Sequence, residues 1–72
     1  MSDRKERYAV IGESEGYPLL YHMDQTAKAA EQLRVRREAV VGRSCFVVPM
    51  SAWFADPLGA LRGAQGARGG RP

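Results

Sequence analysis

Apolar residues fall along this 72-residue chain in short, differently spaced groups, and the spacing predicts its elements. Residues 7–12, Arg-Tyr-Ala-Val-Ile-Gly, are a β-branched apolar stretch closed by glycine. The next five, Gly12-Glu13-Ser14-Glu15-Gly16, are turn formers, and residues 17–23, Tyr-Pro-Leu-Leu-Tyr-His-Met, resume the apolar pattern. The two stretches predict an antiparallel hairpin. Pro18 has no amide to donate and belongs at the start of an edge strand.

The period then lengthens. Asp24 reads as a helix N-cap, and residues 25–34 are rich in strong helix formers. Ala29, Ala30, Leu33 and Val40 share one helical stripe, and the small alanines suit close packing on a sheet. Lys28–Glu31, Glu31–Arg34 and Arg34–Glu38 stand three or four apart, spacings at which opposite charges support a helix. Arg37 interrupts the apolar stripe: either it snorkels past the sheet edge or the helix stops near Arg36. One helix continuing to Gly42 is preferred; otherwise residues 38–41 form a strand that turns at Gly42-Arg43.

Residues 44–53 read as the last strand, with Phe46, Val48 and Met50 on one face and Cys45, Val47 and Pro49 on the other. Apolar residues on both faces call for two covers. The helix supplies one, and the remaining sequence supplies no evident second, so a partner is expected there. From Asp56 the chain is dominated by Gly, Ala and Arg, too poor in apolar content to offset its ordering entropy. The expected fold is α+β: a small antiparallel sheet, ββαβ or ββαββ, with one helix on one face. Residues 1–55 form the compact domain, and 56–72 a flexible tail.

Composition narrows the function classes. One histidine, His22, one cysteine, Cys45, and no phosphate loop leave no convergent set for catalysis or metal binding, so no enzyme and no cofactor is expected. A lone cysteine cannot close an internal disulfide; Cys45 reads first as a small buried hydrophobe, with an intermolecular disulfide as the alternative if it is exposed. A charged start and short apolar runs predict neither a signal peptide nor a membrane span, hence a cytoplasmic protein. The net charge of +3 is unevenly spread: residues 1–26 are acidic, and 27–55 carry Lys28, Arg34, Arg36, Arg37 and Arg43 against two glutamates. That polarity favours oriented association with a charged partner.

The candidate partner-binding residues are therefore Arg34, Arg36, Arg37 and Arg43, joined by the adjacent aromatics Trp53 and Phe54, which either cap the small core or anchor the interface. The terminal Arg-Gly-Gly-Arg resembles single-stranded RNA-binding segments and supports nucleic acid as the alternative partner. The order strand, strand, alanine-rich helix, strand over residues 7–54 is similar to small phage and mobile-element proteins, including anti-CRISPR proteins. This resemblance implies a stoichiometric inhibitor of a CRISPR surveillance complex in a bacterial host cell. The chain is basic, so an arginine-bearing helix seizing an acidic patch fits it better than imitation of DNA. A homodimer is a further expectation from its small size.

Overall fold

The computed structural model describes residues 6–69. Two strands, β1 (Tyr8–Ser14) and β2 (Tyr17–Gln25), are followed by helix α1 (Ala27–Val41) and strand β3 (Phe46–Pro49). Two further helices, α2 (Met50–Ala55) and α3 (Pro57–Gly69), complete the order. The sheet is ordered β2-β1-β3, and both outer strands run antiparallel to β1. The α+β expectation holds, in its ββαβ form: residues 38–41 belong to α1, whose last carbonyls are closed off by Gly42 in the left-handed region.

Local chemistry accounts for the boundaries. The hairpin turn is tighter than the five residues expected. Ser14 pairs with Tyr17, leaving Glu15 and Gly16, both at positive φ, as a two-residue turn of the primed type. The cap of α1 is Thr26 and not Asp24: its Oγ1 accepts from the Ala29 amide at 3.1 Å. Asp24 stays in β2 at a φ of 61°, held by Arg7, which donates to its Oδ1 at 2.8 Å and to its carbonyl at 2.6 Å. The last strand is shorter than residues 44–53. It ends at Pro49, and Met50-Ser-Ala-Trp-Phe-Ala turns into α2.

β2 has nine residues against seven in β1, and the register slips twice. Val10 pairs with His22 but Ile11 with Leu20, so Tyr21 is the extra residue of a bulge. A second residue is inserted between His22 and Gln25, beside Asp24. Pro18 and these bulges blunt the outer edge of β2, the usual protection of an exposed strand.

The core lies on both faces of β1, where Ala9, Val10 and Ile11 are fully buried. On one face Val10, Ala30 and Cys45 pack with Tyr8, Tyr21, Leu33, Val41 and Val47, beneath α1. On the other, Ala9, Ile11, Phe46 and Val48 pack with Leu61 of α3, flanked by Met23, Met50 and Trp53. The two-faced pattern of β3 thus reflects two covers, as expected. The second cover, however, is the chain itself. Residues 57–69 are helical where a flexible tail is expected, and Leu61, 1% exposed, is their anchor. Asp56 and Pro57 explain the helix: the Asp56 carboxylate accepts from the Gly59 amide at 3.1 Å, and proline suits the first helical position. Residues 70–72, with the end of the Arg-Gly-Gly-Arg segment, lie outside the described residues, as does the charged start at 1–5.

Candidate functional site

The arginines that neighbour one another in sequence are separated by the helix that carries them. Arg34 faces inward with its side chain only 17% exposed and pairs with Glu31 and, at 2.8 Å, with Glu38. Its hydrogen bond to Glu31 is the main cause holding the guanidinium protonated far above any working pH; burial opposes this, and the charges of Glu31 and Glu38 add to it. The same Glu38 carboxylate accepts from the Cys45 amide at 2.8 Å. Arg34 therefore belongs to a clasp joining the last turns of α1 to the start of β3. That engagement gives Arg34 a structural role.

Arg37, which interrupts the apolar stripe, lies with its guanidinium 5.0 Å from the centre of the Tyr21 ring. Tyr21 can reach it because it is the bulged residue, and because Gly12 beneath it has no Cβ. A Cβ there would stand 2.6 Å from the ring. Arg36 is exposed and makes no hydrogen bond or ion pair among the described residues. Between α1 and β2, His22, Leu33, Arg36, Arg37 and Val40 line one open hollow. A second hollow along α1, reached past the shared Leu33 and Arg36, is lined by Gln25, Ala29, Glu31, Gln32 and Val35. Val40 and Val35, 75% and 53% exposed, leave apolar surface in water beside these cations. Val40 is expected in the stripe facing the sheet. It instead lies outside, because Val41 takes the inward position.

The other candidates are scattered. Arg43 sits at the hairpin end, where its Nη1 donates to the Glu13 carbonyl at 3.2 Å. Trp53 packs against the α3 side of the core, whereas its neighbour Phe54 is 65% exposed. Cys45 is 1% exposed beneath α1, with its thiol 3.8 Å from the Arg43 carbonyl, so a bond to another chain has no access to it in the folded molecule. The sequence sets Arg37 between Leu33 and Val40 on one helical face, but Tyr21 and His22 are companions it does not predict. Leu33 and Val40 flank these arginines at helical spacing, which is a legible signal, whereas the bulge that brings Tyr21 and His22 to them is not.

Among the described residues, no group of three or more His, Cys, Asp or Glu is placed to hold a metal ion. None of the described helices is long and apolar enough to cross a membrane. In comparisons with known proteins, no family model, no curated protein and no solved structure matches the chain.

Proposed function

We propose that this chain is a non-enzymatic binding module that works by occupying the surface of a protein or ribonucleoprotein complex. One observation carries this: the α1–β2 surface sets exposed aliphatic side chains, Val35 and Val40, beside Arg36, Arg37 and His22. Apolar surface beside two arginines suits an acidic partner face with an apolar anchor, since the cations steer encounter and the anchor supplies affinity. A lone thiol suits action in a reducing cytoplasm, in a bacterial host on this proposal. Its most concrete form is an anti-CRISPR inhibitor that keeps target DNA off a surveillance complex, a reading that rests on the strand, strand, helix, strand order of the first four elements.

The test compares the full chain with the Arg36→Glu/Val40→Glu variant, after equal thermal unfolding confirms an equal fold. A partner retained from bacterial lysate by the parent chain, and at least about tenfold less by the variant, supports the proposal. Equal retention, or none by either, overturns it. Steep salt-dependent shifting of generic DNA or RNA would instead establish the nucleic-acid alternative. Loss of target-DNA binding by a purified surveillance complex at equimolar inhibitor tests the anti-CRISPR form.

A further inference from the structure

We infer that the hollow between α1 and β2 seats an acidic amphipathic helix of the partner, with Arg37 as the residue that selects for it. This rests on the proposed function and adds the shape and charge of what occupies that surface. α1 packs its inward residues on Val10, Cys45 and Val47, over β1 and β3, which leaves the same face of β2 only partly covered. Register places Tyr17 and Leu19, opposite Ser14 and Gly12, on that face, where they are 70% and 39% exposed. α1 runs alongside toward the hairpin end, where Arg43 meets Glu13. Leu33, Arg36, Arg37 and Val40 form its facing row at spacings of three and four, two turns and about 10 Å long. Leu19 to His22 span about 10 Å on the opposite wall.

Backbone chemistry favours a helix over a strand as the occupant. An added strand needs a straight run of free amides and carbonyls on the outer edge of β2. Pro18 offers no amide there, and the bulges at Tyr21 and beside Asp24 break the register. The occupant therefore arrives with its backbone hydrogen bonds already made, as a helix does, and presents side chains alone. Charge sets its sign. Among the described residues, Arg36 and Arg37 make no ion pair, and no carboxylate lines the hollow they share with His22. The Tyr21 ring, 5.0 Å from the Arg37 guanidinium, holds that cation in place without neutralising it. A carboxylate of the occupant thus meets a donor fork already positioned, at little further loss of side-chain freedom. Glutamates flanking leucines at helical spacing complement this row. A second copy of the chain does not: α2 and α3 carry no acidic residue, and Glu31 and Glu38 of α1 are engaged with Arg34.

The experiment follows NMR shifts of the labelled full chain during titration with peptides of about 15 residues, a length that supports a helix. One is a Leu/Glu/Ala helix, one has Lys in place of Glu, and one is the acidic peptide with a central proline. The acidic helix is expected to shift Leu19, His22, Leu33, Arg37 and Val40, and to bind at least about tenfold more tightly than either of the others. Arg37→Gln weakens it about tenfold, whereas Arg62→Gln, the same charge change on α3 across the sheet, leaves it unaltered. The inference is overturned if the acidic helix shifts none of these residues, if the lysine or proline peptide binds as well, or if both arginine variants lose affinity equally. Tighter binding of a generic oligonucleotide at the same residues, or self-association of the chain through them, also overturns it. In any of the peptide failures, a lysate partner kept by the parent chain and lost by Arg36→Glu/Val40→Glu would leave the proposed function standing with an occupant of another shape.

Discussion

Tyr21, Gly12 and Arg37 form a stack in which each position depends on the other two. The ring occupies the space a Gly12 side chain would need, and the Arg37 guanidinium closes over it. Gly12→Ala is therefore expected to cost about 1–3 kcal/mol, the usual penalty for overpacking, with the ring displaced from Arg37. Urea unfolding measures the first effect, and the aromatic shifts of Tyr21 report the second. Cys45 gives a simpler outcome. Its burial predicts no reaction with a thiol reagent in the native state, full reaction after unfolding, and no dimer on a nonreducing gel. What the sequence could and could not disclose is plain among the arginines. Arg34 and Arg36 are roughly 200° apart on a helix, so they cannot share a face. Glu31 and Glu38, at i−3 and i+4, both stand ready to claim Arg34. That much is readable from the chain. The ring under Arg37 is not, because the bulge that presents it depends on the strand register.

Among the elements, α1 shows how a charged stripe can pack. Its inward positions include Arg34, Arg37 and Glu38 as well as Ala30, Leu33 and Val41, and the charges are tolerated because each has a partner. Glu38 is the key member, accepting from Arg34 and from the Cys45 amide. Glu38→Ala is expected to lower stability by about 1–3 kcal/mol, since the half-buried amide loses its acceptor. Glu31→Ala removes a more exposed partner of Arg34 and should cost less than about 1 kcal/mol. Denaturant midpoints compared at equal slope check both values; similar losses would place the clasp elsewhere. α1 and the hairpin were legible because long period and alternation are strong signals. α3 was hidden by its glycines, though Asp56-Pro57 followed by Leu58 and Leu61 is a helix start with an apolar spacing. Propensity argued against it, and burial of Leu61 on the sheet overrode propensity.

For the molecule as a whole, the position of α3 changes what holds the fold together. A sheet covered on one face only would need a partner across Ile11, Phe46 and Val48, and a chain this short has little core to spare. With α3 in place both faces are covered from within, and folding is expected not to wait for association. The urea midpoint of the full chain should consequently be independent of protein concentration over about a hundredfold range. A chain stopped after residue 56 loses Leu61 and bares that face, and should self-associate or collapse as concentration rises, an apolar patch of this kind being a liability in water. Sedimentation and midpoint measurements on the two chains separate the cases. A concentration-dependent midpoint in the full chain would return the sheet to dependence on a partner. A truncated chain as stable and monomeric as the parent would make α3 dispensable. The expected pairing, an independent full chain and an associating short one, assigns α3 the role of cover and leaves the α1–β2 surface free for a partner.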